Sequence, residues 1–225
     1  MTAPRLTFAD PGEAAALAAF LGRLLRWEKA AAVRLQAGAG VLGVFARPAR
    51  FEVLAVLTSR LLEPVELDAT VSAGELLERI DEPGESVPAV PAEVTGPAWA
   101  GLLPPRSGWR VAAELPAHAV REAAAGAVAE FRDRSERLAP EKRTREVLDA
   151  LAEEIWERPL RGTGMRLRAV HAAHALGFLR DSAAPVALYG SGSWLRLRTS
   201  YGSVIVRGAA GAGPGPGLGL SVTPV

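Results

Sequence analysis

Hydrophobic positions set the first element. Asp10-Pro11-Gly12-Glu13 combines an N-cap aspartate, a proline suited to the first helical position and a glutamate three residues after the cap. Leu17, Phe20, Leu21, Leu24 and Leu25 then recur at helical spacing, which predicts one apolar helix face running to Trp27–Lys29. The period then changes to two. Short runs at Ala32–Gln36, Val41–Ala46, Phe51–Leu57 and Val65–Val71 predict four strands. The last leads through Ser72-Ala73-Gly74-Glu75, a capping-box pattern, into a short helix ending at Ile80.

Prolines 83, 88, 91, 97, 104 and 105 crowd the segment from Asp81 to Ser107 and argue against regular structure there. Trp99 and Trp109 at its end point to a connector docked on a core. Regular patterning resumes with a strand at Gly108–Leu115. A helix is expected from Pro116 to Leu138, a second from Pro140 to Trp156 and a third over Met165–Leu179. A strand at Pro185–Tyr189 follows, then a hairpin of Ser193–Thr199 and Ser203–Arg207 turning at Gly202.

These elements predict an α+β protein: an N-terminal meander with helices on one side, a helical middle, a C-terminal β-hairpin and a disordered Gly/Pro tail. The expected units are residues 1–80, a sheet-and-helix lobe; 81–107, a Pro-rich connector; 108–207, a helical lobe ending in the hairpin; and the tail, 208–225. No segment repeats at a fixed period.

Composition narrows the classes. At 225 residues the chain is large enough to bury a core without disulfides, and it contains no cysteine. That removes thiol catalysis and cysteine-ligated clusters and agrees with a reducing compartment. No basic-then-apolar leader opens the sequence, and the longest apolar run, Ala14 to Leu25, is broken by Arg23. The expectation is a cytoplasmic protein with no membrane segment. Of the 26 basic residues only Lys29 and Lys142 are lysines, as a GC-rich coding bias would produce. The net charge of +1 hides an asymmetry, +6 from Trp156 onward against −5 before it. Such a split suits an anionic partner, packing of the two parts on each other, or self-association.

The candidate chemistry is concentrated in the final hairpin. With a period of two, Leu195, Leu197 and Thr199 point one way, and Trp194, Arg196 and Arg198 the other. An aromatic beside guanidinium groups, with Arg207 on the next strand, is the expected anion- or nucleic-acid-binding face. The plainer alternative is a solvated face on which arginine stems cover the indole.

Other motifs fit structural roles better. Gly38-Ala39-Gly40-Val41-Leu42-Gly43 matches G-x-G-x-x-G, but a strand-like run stopped by Pro48 follows where a dinucleotide site needs a helix; a hairpin turn is expected. His171 and His174 lie at i and i+3, two potential ligands where zinc needs three or four, and His118 is far upstream. They read as partly buried core histidines, with a hidden site around all three as the catalytic alternative. Ser191 and Ser193 do not form a G-x-S-x-G elbow. No cofactor is expected. Thr223-Pro224-Val225 has the form of a carboxylate-capture ligand, but three residues recur by chance and an ordinary frayed tail is expected.

Trp194–Thr199 with Gly202 and Val204–Arg207, together with Leu67–Ala73 and Ala-Leu-Gly-Phe-Leu at 175–179, resembles a group of uncharacterised actinobacterial proteins. That resemblance implies no activity, ligand or catalytic residue. The expected function is that of a non-enzymatic protein-binding or scaffold protein, through a protein partner or self-association. The alternatives are nucleic-acid or anion binding at Trp194, Arg196, Arg198 and Arg207, and an enzyme of unrecognised type.

Overall fold

A computed structural model describes residues 4–80 and 88–208. The expectations for the tail beyond Gly208, for Thr223–Val225 and for the start of the connector at 81–87 lie outside the described residues.

Helix α1 (Pro11–Trp27) begins as its cap requires: the Asp10 carboxylate accepts from the Gly12 and Glu13 amides at 2.9 and 3.2 Å. Its stripe of Leu17, Phe20, Leu21 and Leu24 is buried. Strands β1 (Ala32–Gly38), β2 (Val41–Ala46), β3 (Leu54–Arg60) and β4 (Leu67–Ser72) follow. The β1–β2 connection is a tight turn with Ala39 and Gly40 both at positive φ, as the hairpin reading of the glycines requires. Phe51 and Glu52, expected at the start of a strand, instead form a turn before β3, with Glu52 at φ 50°. Helix α2 (Ala73–Ile80) starts where the Ser72 hydroxyl accepts from the Glu75 amide at 3.3 Å.

Past the connector come β5 (Arg110–Leu115), α3 (Ala117–Glu136), α4 (Arg145–Trp156), α5 (Leu167–Ala175), β6 (Val186–Ser191), β7 (Trp194–Thr199) and β8 (Gly202–Arg207). Helix α4 starts later than expected. Pro140–Lys142 forms only a 3-10 turn, and Thr144 is the residue whose side chain caps the helix. Helix α5 ends at Ala175, earlier than expected, because Gly177 at φ 74° turns the chain out of the helix.

All eight strands join one antiparallel sheet in the order β4-β1-β2-β3-β8-β7-β6-β5. The two halves of the sheet meet at β3 and β8, where only Leu54–Ile205, Ala55–Val204 and Val56–Ser203 pair. The fold is thus α+β, with its helices on one face of the sheet. A single core fills the space between the layers and crosses the seam: Val33, Leu35, Leu42 and Val44 share it with Leu176, Leu188, Leu197 and Val204. Phe20 of α1 stacks on Phe178 of the other half at 5.7 Å. Among the described residues no helix is long and apolar enough to cross a membrane.

Candidate ligand-binding clefts on the outer sheet face

The face turned away from the helices can be read from the register. One row of neighbours crosses it as Leu54, Ile205, Arg196, Tyr189 and Val111; a second runs through Thr70, Arg34, Phe45, Val56, Ser203 and Arg198. The middle of this surface is apolar and its flanks are charged.

Residues 94–109, from the latter part of the connector into the start of the next segment, lie across it as a strap. At the β4 edge the Val94 amide donates to the Thr70 carbonyl at 2.9 Å. The Arg34 guanidinium then donates to the Ala100 carbonyl at 2.9 Å while also pairing with Asp68. Trp99, Leu103 and Trp109 pack on Leu54, Val56 and Ile205, joined by Phe45 and Trp194. The two connector tryptophans therefore dock, as large aromatics in a Pro-rich segment should. The Trp109 indole donates to Pro105 at 2.9 Å, and Gly108 at φ 79° turns the chain into β5 at the opposite edge.

The strap leaves open space on both of its sides. One cleft, about 420 Å³, is lined by Leu54, Trp99, Leu102, Trp194 and Ile205, with Arg47 and Arg207 as its cations. The other, about 660 Å³, runs between Pro104–Trp109 of the strap and β1–β3, and Arg196 lines it. Both volumes suit small ligands or short peptide segments.

The hairpin residues are thereby separated. Trp194 is half-buried, and the Arg207 guanidinium sits 4.9 Å from the centre of its ring. Arg198 is exposed. Arg196 is half-buried in the larger cleft, with its guanidinium 5.9 Å from the Trp109 ring. Its Nε is fully buried and has no hydrogen-bond partner among the described residues. Burial, reinforced by the charge of Arg198, pushes this guanidinium below its ordinary pKa. Trp194, Arg196 and Arg198 do share a face, but the strap covers it in part, so they do not form one open platform.

Three of the eight C-terminal arginines are ion-paired. Arg158 pairs with Glu130 and Glu154, Arg166 with Glu157, and Arg168 with Glu153, Glu157 and, across the two halves, Glu52. The Arg134 and Arg158 guanidinium groups hold the Glu154 carboxyl down at about 2. Part of the charge split is thus internal pairing, whereas Arg161, Arg180, Arg196, Arg198 and Arg207 make no ion pair among the described residues.

The histidines do not gather. His171 stacks on Trp156 at 4.3 Å and meets the edge of Phe51 at 5.2 Å, whereas His174 and His118 are exposed. The reading of His171 and His174 as a partly buried pair holds for His171 alone. Among the described residues no group of three or more His, Asp or Glu is placed to hold a metal ion.

Sequence reasoning did not reach Arg106, Glu66 and Arg47. Arg47 and Arg106 are isolated charges in turns or loops, and Glu66, inside the strand expected at Val65–Val71, lies just before the observed β4. Arg47 borders the smaller cleft beside Trp194 and Arg207, and the crossing of the strap encloses Arg106 and Glu66 in the larger one.

By its architecture this is an α+β protein with one helix-backed antiparallel sheet and a strapped outer face. Residues 1–101 match a domain of unknown function (DUF8010), and residues 104–211 match a second domain of unknown function (DUF8185). The boundary between the two matches falls within the strap. No curated protein matches the chain.

Proposed function

We propose that this is a non-enzymatic binding protein, and that its partner is a protein delivering an acidic group to Arg196 on the strapped face. The observation that carries this reading is the half-buried guanidinium of Arg196, whose Nε has no partner and which makes no ion pair among the described residues. A buried cation without a counter-charge is costly, and a carboxylate docking on its fork regains that cost through charge-assisted hydrogen bonds. Nucleic acid is the second reading, supported by Trp194 and Arg207 in the smaller cleft. It is less favoured, because Glu52 lines that cleft and Glu66 lies at one end of the larger one, and both oppose a uniformly anionic strand. The absence of cysteine supports a cytoplasmic setting, and the hairpin residues quoted above support an actinobacterial lineage.

The test is fluorescence anisotropy of a labelled acidic peptide and of labelled single-stranded DNA and RNA across a salt series, with wild type and Arg196→Gln. The acidic peptide should bind wild type and lose about tenfold or more in the variant, the loss expected for a charged hydrogen bond. Equal binding by both proteins would remove Arg196 from any role. Tighter, steeply salt-dependent binding of the oligonucleotides would favour the second reading.

A further inference from the structure

The larger cleft has opposite charges at its two ends. Arg196 lies on β7, under Trp109. At the other end the Glu66 carboxylate is exposed and stands over Gly38 of β1, its Oε2 3.4 Å from the place a Cβ would take there. Neither side chain makes an ion pair among the described residues. Between them the floor is Gly43, Phe45, Val56 and Ile205, and the wall is Pro104 and Pro105. Gly38 and Gly43 leave the floor bare; a Cβ at Gly43 would stand 3.2 Å from the Phe45 ring. Gln36 spends its amide N–H on Asp68 at 3.2 Å, which leaves its carbonyl oxygen for a donor. The Asp68 carboxyl is held below its usual range chiefly by the hydrogen bond from Arg34, with a small share from Arg106 on the strap, whose charge therefore already faces an acidic neighbour.

Resting on the reading of Arg196 as an anion receiver, we propose that this cleft binds a short extended peptide segment, with an acidic side chain on Arg196 and a basic one on Glu66. The spacing supports a peptide. β1 and β7 are four strand spacings apart, about 19 Å, and the register sets Gly38 in the row of Arg60 but Arg196 in the row of Leu54, an offset of about 20 Å along the strands, so the diagonal between the two ends is roughly 27 Å. Arg196 and Glu66 reach inward from the two ends, as would the ligand's own charged side chains. At about 3.3 Å per residue, and allowing for the reach of those side chains, the two ligand charges then stand some four to eight residues apart with apolar residues between them. A free carboxylate of one or two residues is too short to span both ends, and a nucleic-acid strand places its phosphates against Glu66.

The experiment is a random-peptide display selection on the full chain, run in parallel on wild type, Arg196→Gln and Glu66→Lys, each first checked for an unchanged melting temperature. Wild type should enrich sequences carrying one acidic and one basic residue at that spacing, by about tenfold over chance. Glu66→Lys should exchange the basic residue for a second acidic one, and Arg196→Gln should abolish the acidic preference. If Arg196→Gln unfolds the chain, Arg196→Lys replaces it and should weaken the acidic preference without erasing it. Loss of the acidic preference in Arg196→Gln with no change in Glu66→Lys would overturn the two-charge peptide and leave the acidic-partner reading standing. No enrichment on wild type, or enrichment indifferent to Arg196, would overturn both.

Discussion

The two halves of the sheet are the same arrangement built in two orders. In the first, α1 leads into the meander β1-β2-β3 and β4 is added afterwards beside β1; in the second, α5 leads into β6-β7-β8 and β5 is laid down beforehand beside β6. Because β3 and β8 are antiparallel and every other neighbour is too, a pseudo-twofold axis normal to the sheet relates the helix-plus-meander units. The additions differ. The β4 edge is covered where Val94 and Glu93 bridge to it, whereas β5 leaves its outer edge open with Val111 58% exposed. A bulge between Val111 and Ala113 is a common device for discouraging pairing at such an edge. The comparison teaches that each half completes its sheet, yet neither encloses the core alone, since Phe20 and Phe178 meet only across the seam.

The comparison breaks first in the core. Leu35→Ala and Leu197→Ala each empty a fully buried site, one per half, and each should cost about 2–5 kcal/mol. If the halves form one cooperative unit, either variant lowers a single urea transition and speeds hydrogen exchange in the opposite half. Two separated transitions would show that the halves stand alone.

The hairpin turns give a smaller and unequal pair. Gly202 sits at φ 151° with the Phe178 ring 2.5 Å from the position of a Cβ, while Gly40 at φ 75° has nothing closer than 3.6 Å. Gly202→Ala should therefore cost about 2–4 kcal/mol through overpacking, and Gly40→Ala about 1 kcal/mol through backbone strain alone. Denaturant midpoints of the two variants check the ranking; equal losses would mean the Phe178 contact yields freely.

The least effect is expected from acid. His171 is held between Phe51 of the first half and Trp156 of the second, and burial together with the His174 charge lowers its pKa. Its contribution to stability is therefore complete above the unfolded imidazole pKa of about 6.5. It declines as pH falls below that value, because the unfolded chain takes the proton more readily, and levels off below the depressed folded pKa. Melting temperature from pH 7.5 to 5 should fall more for wild type than for His171→Phe. An identical pH profile would dismiss the histidine as a sensor of the seam.

Local signals carried much of this fold. The Asp10 cap, the stripe of α1, the Ser72 capping box and the glycines of both tight turns were all readable, because each depends on residues within a few positions of one another. What escaped depends on distance along the chain. No pattern near Leu54 or Ile205 says that they pair, and nothing marks residues 97–109 as the covering of a sheet face. The site suffered the same way. Alternation placed Trp194, Arg196 and Arg198 on one side correctly, but whether that side faces water was decided by Trp109, more than eighty residues earlier. The start of α4 shows the local limit: Pro140 offers an acceptable first position, yet the Thr144 hydroxyl, accepting from Val147 at 3.4 Å, sets the boundary.

The strap also governs what happens when the seam opens. It leaves the first half at one rim of the sheet and enters the second at the other, so the units cannot diffuse apart after the three seam pairs break. Their reunion is a first-order event at the local concentration a short linker imposes, in the millimolar range for flexible ones. Re-closure should then be independent of how dilute the protein is. Cutting the strap would turn the same seam into a two-body association that dilution can undo.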